Sequence, residues 1–87
     1  MATQVEVSRT FLRETARMVT DGAPNSGMYS AMAKRYVTDE CFDVVNQALQ
    51  LFGGYGYLKD YPIEKYFRDL RVHQILEGSN EIMLHII

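Results

Sequence analysis

The segment from Met28 to Phe52 contains no glycine or proline and repeats its apolar residues with a helical period. Such spacing places these residues on one face of an α-helix, whereas a half-buried strand would alternate apolar and polar residues. Gly53 and Gly54 follow, and glycine often ends a helix because it adopts left-handed backbone angles at little cost. The sequence therefore predicts one long helix over residues 28–52. Its apolar stripe consists of Ala33, Val37, Cys41, Val44, Ala48 and Leu51.

Three further helices are predicted around this one. Residues 2–20 carry apolar side chains at helical spacing, and charged residues lie on another side. Pro62 opens a third helix that runs to about Leu70, and a fourth helix starts near Asn80. No segment alternates as a strand does, so the sequence predicts an all-α fold, an up-and-down helical bundle. The apolar stripe predicted for the first helix is Val5, Leu12, Ala16 and Val19.

Polar residues at the third helix predict how its ends are stabilised. Asp60 is the expected capping residue at the start, and Glu64 lies in the first turn. Arg68 and Arg71 are expected in the last turn, where positive charge complements the helix dipole.

Both ends of the chain predict an incomplete domain. The chain begins within about a turn of a helix and stops in an apolar run without a polar cap. A terminal helix of about eight residues is too short to be stable alone. We therefore expect residues 1–87 to be a fragment of a helical domain.

Composition excludes several classes of protein. A hydrophobic fraction of 47% and a charged fraction of 23% are typical of a globular chain, and the net charge of −2 disfavours binding to nucleic acid or to an anionic membrane. No apolar run reaches the roughly 18–20 residues that cross a bilayer. The single cysteine, Cys41, excludes an internal disulfide.

Several local patterns have simple structural explanations. The run from Gly53 to Asp60 contains G-x-G but lacks the remaining glycine of a dinucleotide fingerprint, so a helix stop is favoured over a phosphate loop. His73 and His85 lack partners at ligand spacing, so no metal site is predicted. Cys41 is expected to be a buried, unreactive thiol. The mixed charges of residues 34–43 are interpreted as a solvated helix face.

Glu77 leaves two interpretations open. A carboxylate near a helix start is ordinarily stabilised by the helix dipole, and this is the simpler explanation. Val72, Ile75 and Leu76 nevertheless give Glu77 apolar neighbours in sequence. Burial among them would raise its pKa towards the range in which a carboxylate removes a proton from carbon. Gly78 would then leave space for a ligand.

Three ordered blocks make the chain resemble the C-terminal helical domain of the acyl-CoA dehydrogenases. These blocks are Q-x-x-G-G-x-G from Gln50, Y-P-x-E-K-x-x-R-D from Tyr61, and E-G-S from Glu77. The resemblance extends back to residue 1 and covers nearly all of this chain, but only about the last quarter of a full-length enzyme. Within the family, "HQILEGSNEIM" is closest to the isobutyryl-CoA or short branched-chain members.

The resemblance implies a function and a set of site residues. Family members are FAD-dependent oxidoreductases that introduce a double bond between Cα and Cβ of an acyl-CoA. The family's catalytic base falls on Glu77, and Gly78 falls beside the bound thioester. Residues matching the segment that contacts FAD in the same subunit are Ser79, Asn80 and Glu81. Those matching the segment that reaches FAD of a neighbouring subunit are Gln50, Leu51, Phe52, Gly53 and Gly54.

Partners and location are also implied by the resemblance. FAD shared across subunits implies a homo-oligomer, usually a tetramer, and the family's electron acceptor is electron-transferring flavoprotein. A family member would be in the mitochondrial matrix of a eukaryote or the cytoplasm of a bacterium, and its pathway is fatty acid and branched-chain amino acid catabolism. This chain itself shows no targeting segment.

The sequence also departs from the family pattern. The N-terminal helical domain and the middle β-domain are absent, and Leu84-His85 stand where many relatives have an arginine. Ser79 replaces the more common threonine and keeps the hydroxyl. Two alternatives to the catalytic hypothesis therefore remain: a non-catalytic helical module that pairs with dehydrogenase subunits or with itself, and a truncated gene product without its own activity. The isolated 87-residue chain is expected to be inactive.

Overall fold

A computed structural model describes all residues, 1–87, as four α-helices without a β-strand. The helices are α1 (Ala2–Thr20), α2 (Ser26–Phe52), α3 (Ile63–His73) and α4 (Asn80–Ile86), and a 3₁₀ helix, Gly53–Tyr57, follows α2. The predicted all-α fold is confirmed. The bounds of α1 agree with the prediction, and α2 starts two residues earlier than predicted.

Pro62 opens α3 as predicted, but the predicted cap at Asp60 and the predicted end at about Leu70 are wrong. Pro62, with φ −73° and ψ −8°, takes the capping position, and no side chain caps the helix, so Asp60 stays outside it. Proline is preset for this position because its ring fixes φ near the helical value. No glycine or proline interrupts the chain after Leu70, so α3 continues to His73. Arg71 and His73 therefore provide the positive charge of the last turn, and Arg68 lies one turn earlier.

The long helix α2 is the centre of the fold, because it packs against each of the other three helices. Gln4 near the start of α1 donates hydrogen bonds to Glu40 and Asp43 of α2, so these two helices run antiparallel. On α3, Phe67 packs against Phe42 with ring centroids 5.1 Å apart. The position of every other helix is therefore set by where it meets α2.

The face that α1 turns towards α2 differs from the predicted stripe. Ser8 and Thr15 are buried, with only 4% and 5% of their surfaces exposed. Phe11 packs against Tyr29 and Tyr36 of α2. Small side chains let the two helix backbones approach closely, and Thr15 satisfies its hydroxyl by donating to the carbonyl of Phe11 at 2.8 Å. Most of the predicted stripe instead faces outwards: Leu12 is 51% exposed, Val19 is 54% exposed and Ala16 is also exposed, whereas Val5 is partly buried.

The end of α2 also differs from the predicted stripe, because Leu49 is buried whereas Leu51 is exposed. Gly53 ends the helix with φ 62° and ψ −141°, which agrees with its predicted role and turns the chain into the 3₁₀ helix. That turn brings Gly56 onto Leu49. A Cβ atom at Gly56 would lie 2.6 Å from Leu49 Cδ1, so only glycine fits without a shift. This close approach covers Leu49, which is therefore buried while Leu51 is exposed.

Candidate functional site

The connection between α3 and α4 carries the predicted base. Ser79 is the N-terminal cap of α4, with its hydroxyl accepting a hydrogen bond from the Ile82 amide at 3.4 Å, and Glu81 is the acidic residue of the first turn. These are the two roles that stabilise a helix start. Glu77 lies two residues before the cap and takes neither role.

Glu77 has an uncommon backbone conformation. Its φ is 57°, and it is the only residue other than glycine with a positive φ in the chain. Gly78 follows with φ 83°. A left-handed conformation costs a residue with a side chain roughly 1–2 kcal/mol, and such residues cluster at functional sites. The Glu77 side chain is exposed and forms no hydrogen bond or ion pair within the chain. Val72, Ile75 and Leu76 therefore do not bury the Glu77 side chain.

Asn80 ties this turn to the middle of α2. It is 8% exposed, and its amide nitrogen donates to Asp39 Oδ1 at 2.6 Å and to Thr38 Oγ1 at 3.0 Å. Its amide oxygen accepts from Lys34 Nζ at 2.6 Å. The predicted contact of Asn80 with the flavin stays a prediction. Within this chain its side chain is occupied by α2.

The interpretation of residues 34–43 as a solvated face is wrong. Lys34, Thr38 and Asp39 are partly buried, and they lie under the turn between α3 and α4. Asp39 also accepts from Gln74 Nε2 at 2.8 Å, and Arg35 approaches it at 3.8 Å. The polar residues of this segment are therefore matched by polar residues more than thirty positions away, rather than by water alone.

A polar cleft of about 390 Å³ lies beside the start of α4. Arg35 and Asp39 of α2 form one side, and Glu81 and Leu84 form another. Arg71 closes the cleft from α3 and donates to Gln74 at 3.2 Å. The guanidinium groups of Arg35 and Arg71 stand in this cleft beside the carboxylates of Asp39 and Glu81, so it can accept a polar ligand next to residues 80 and 81.

The second predicted cofactor segment lies at the far end of α2. Its five residues, Gln50, Leu51, Phe52, Gly53 and Gly54, are all exposed. Gln50, Gly53 and Gly54 line a separate cleft of about 370 Å³, and nothing lies within 4 Å of a Cβ built on either glycine. At 1.5 Å per residue, Gln50 is about 24 Å along α2 from Lys34, where the turn with Glu77 is held. The structure does not bring the two predicted cofactor segments together.

The remaining titratable groups do not form a second centre. No group of three His, Cys, Asp or Glu residues could hold a metal ion. The pKa of the Cys41 thiol is raised, first by burial and then by the nearby Glu40 carboxylate, so this thiol is a poor nucleophile near neutral pH. None of the helices is both long and apolar enough to cross a membrane.

Comparison with known proteins gives consistent matches over the whole chain. The family profile described as "Acyl-CoA dehydrogenase, C-terminal domain" matches residues 1–87. The mitochondrial isobutyryl-CoA dehydrogenases of Dictyostelium discoideum and Bos taurus are 56% and 51% identical to this chain over all of its length. The structure of butyryl-CoA dehydrogenase from Megasphaera elsdenii superposes with a TM-score of 0.92 at 37% identity, over 99% of this chain.

These matches cover a small part of each relative. The chain spans 21% of the length of the two isobutyryl-CoA dehydrogenases and 22% of the Megasphaera elsdenii chain. The comparison therefore concerns one segment of those proteins, and it includes both the turn at Glu77 and the segment at Gln50.

Proposed function

We propose that Glu77 is the base in the α,β-desaturation of a short, branched acyl-CoA. The premise is that this chain belongs to the acyl-CoA dehydrogenase family through its C-terminal domain. The two isobutyryl-CoA dehydrogenases among its relatives support a branched substrate. Residues 1–87 are proposed to be the C-terminal helical part of the active protein.

The position of Glu77 before the cap of α4 is the observation that carries this proposal. Ser79 caps the helix and Glu81 supplies the acidic first turn, so Glu77 has no part in starting α4. It nevertheless keeps a strained φ of 57° and an exposed carboxylate without a partner. A carboxylate held in this way is available to a substrate.

The chemistry assigned to Glu77 is the removal of one proton from carbon. A carboxylate oxygen takes the proton from Cα of the thioester, and the electron pair left behind forms the Cα–Cβ double bond as a hydride leaves Cβ. FAD, when bound, supplies the acceptor for that hydride. The α-proton is weakly acidic, so the carboxylate must work in a site closed to water. That closure has to come from groups packed over Glu77, because the residues of this chain leave it exposed.

The residues present fit a flavin dinucleotide at the two predicted segments. Gly53 and Gly54 leave open space where side chains would stand, so a ligand can approach their backbone. At the other segment, Asn80 and Glu81 line the polar cleft together with Arg35 and Arg71. We assign Ser79, Asn80 and Glu81 to FAD of the same subunit, and Gln50, Leu51, Phe52, Gly53 and Gly54 to FAD of a neighbouring one.

The separation of these segments supports a homo-oligomer. About 24 Å of α2 lies between Lys34 and Gln50, so one subunit would present its two ends to different cofactors. We propose an oligomer that shares FAD across subunits, with electron-transferring flavoprotein as the acceptor. A mitochondrial location is proposed for a eukaryotic source, because the names of the two eukaryotic relatives include it.

A grafted enzyme tests the base. It is the Dictyostelium discoideum isobutyryl-CoA dehydrogenase in which the residues aligned with this chain are replaced by residues 1–87, and FAD absorbance reports both loading and reduction. We expect Glu77→Gln to load FAD but to reduce it with isobutyryl-CoA at least about 100-fold more slowly, since a positioned base contributes 10²–10⁴ in rate.

Glu6→Gln is the matched control, because it makes the same chemical change at an exposed carboxylate on α1 that pairs only with Arg9. It should leave reduction unchanged. Reduction by Glu77→Gln at the rate of this control would reject the assignment of the base.

The outward apolar stripe of α1 favours a second candidate function. A helical module that associates with dehydrogenase subunits would use Leu12 and Val19, which are more than half exposed. A grafted enzyme that loads no FAD, together with an 87-residue chain that co-purifies with intact subunits, would favour this candidate over catalysis.

A further inference from the structure

The left-handed turn at Glu77 and Gly78 needs support from elsewhere in the fold. Two successive positive φ angles, 57° and 83°, are not maintained by local preference, since the first residue carries a side chain. A strained backbone persists only where its surroundings hold it. The groups that hold this turn therefore decide where the Glu77 carboxylate points.

One side chain from α2 forms a hydrogen bond with the backbone of the turn itself. Lys34 Nζ, from the first half of α2, donates to the carbonyl oxygen of Gly78 at 2.9 Å, across 44 positions of sequence. The same ammonium donates to Asn80 Oδ1 at 2.6 Å. These two bonds fix the peptide plane that follows Gly78 and connect it to the first residue of α4.

The other contacts hold the flanks of the turn. Asp39 accepts from Gln74 at 2.8 Å on the near side and from Asn80 at 2.6 Å on the far side. The backbone N–H of Asn80 also donates to the backbone carbonyl of Gln74 at 3.0 Å, which closes the loop at its base. With the base of the loop closed in this way, Lys34 is the side chain that determines the conformation at its tip.

Lys34 supports the turn without pairing with the carboxylate. No ion pair joins its ammonium to Glu77 within 4.0 Å. Direct contact would favour the charged carboxylate and lower its pKa, which would weaken a base. An ammonium bonded to the next carbonyl fixes the backbone and avoids this effect.

We propose that Lys34 is a positioning residue for Glu77, acting through the carbonyl of Gly78 and the side chain of Asn80. This inference rests on the proposed function of Glu77 as the base. Lys34 would then affect the reaction without touching the substrate or the cofactor.

The test uses the grafted enzyme with Lys34→Met, which keeps an unbranched side chain up to the ε position and removes the ammonium donors. Stopped-flow reduction by isobutyryl-CoA gives two separate quantities, the rate constant and the amplitude per bound FAD. We expect the rate constant to fall about 10- to 100-fold, because misplacing a catalytic group by about 1 Å can cost 10²-fold. The amplitude, the FAD content and the dissociation constant of the substrate should stay within about twofold, as expected for a change confined to positioning.

Two further variants make this result specific. Lys34→Arg retains a cation with several donors and should recover part of the lost rate. Lys65→Met removes an exposed lysine that pairs with Asp69 on α3 and makes no contact with the turn, so it should behave as the parent. If Lys34→Met loads no FAD, the positioning role is tested with Lys34→Arg instead. The rate constant of Lys34→Arg must then lie below that of the parent.

A parental rate constant in Lys34→Met, or in Lys34→Arg where the first variant loads no FAD, would overturn the proposal. If the amplitude is lower while the rate constant stays parental, Lys34 only keeps the protein folded. Glu77→Gln, measured in parallel, distinguishes a failure of the proposed base from a failure of the positioning role of Lys34. If it still reduces FAD, the proposed base is wrong and this inference fails with it, whereas its loss beside a normal Lys34→Met rejects the positioning role alone.

Discussion

Glu77 and Gly78 use the same backbone region for different reasons. Gly78 adopts φ 83° at no steric cost, whereas Glu77 accepts strain at φ 57°. A Cβ at Gly78 would also lie 2.7 Å from Met83 Cε, the flexible end of a buried side chain. The turn is therefore sensitive to substitution mainly through its backbone angles.

Gly78→Ala tests this sensitivity. We expect the free energy of unfolding to fall by about 1–2 kcal/mol, the cost of a left-handed residue with a side chain, while Met83 moves aside. Thermal unfolding followed by circular dichroism measures the change. The matched control is Gly27→Ala in α2, where a Cβ has open space and φ is not in the left-handed region, so it should raise stability by up to about 1 kcal/mol. Equal effects of the two substitutions would contradict this account.

At the scale of single residues, the sequence identifies some candidate site residues and not others. Glu77 could be singled out because E-G-S follows two other blocks at the family's spacing. Lys34 could not, because its two bonds join residues 44 and 46 positions apart and depend on how the chain turns after α3. The segment around Lys34 also carries charges of both signs, which is typical of a solvated helix surface.

At the scale of elements, periodicity predicts that a helix exists more reliably than which face is packed. The bounds of α1 were predicted because the apolar period begins near residue 2 and glycine follows Asp21. Its packed face was not, because Ser8 and Thr15 are small enough for close contact with α2 although neither is strongly apolar. Burial also leaves the Ser8 hydroxyl without a partner. The spacing of apolar residues does not show which small residues of α1 fit closely against α2.

The 3₁₀ helix gives a prediction of its own, because its position depends on the contact between Gly56 and Leu49. Gly56→Ala would place Cβ 3.2 Å from the carbonyl oxygen of Leu49 as well as close to its side chain. We expect a loss of about 1–3 kcal/mol, the usual cost of overpacking. Gly54→Ala is the control within the same turn, since nothing lies within 4 Å of its Cβ, and chemical denaturation distinguishes the two. A Gly56→Ala protein as stable as the control would show that the turn can move away from α2.

At the scale of the whole molecule, the chain leaves more surface exposed than its size requires. Its accessible surface is 6055 Å², against about 5,200 Å² expected for a monomer of this mass. The radius of gyration is 14.7 Å, against about 12 Å for a compact domain of this length. Only 9 of the 87 residues are buried, so much of the apolar surface is available for association.

The outward stripe of α1 is expected to contribute to that association. Leu12→Lys with Val19→Lys should shift the 87-residue chain towards the monomer in sedimentation velocity, because charge opposes burial of this face. Thr3→Lys with Thr10→Lys adds the same two charges to exposed positions on the opposite side of α1 and serves as the control. If both pairs of substitutions have the same effect, net charge rather than the stripe controls assembly.

The length of α2 has a consequence in genetics. In the proposed oligomer, where FAD is shared between subunits, a lesion at Glu77 and a lesion at Gly53 would damage opposite halves of each shared centre. A mixed pair of subunits would then combine the two intact halves in one centre and the two damaged halves in the other. Alleles of these two kinds should therefore complement each other in a heterozygote, whereas two alleles that both alter the turn at Glu77 should not.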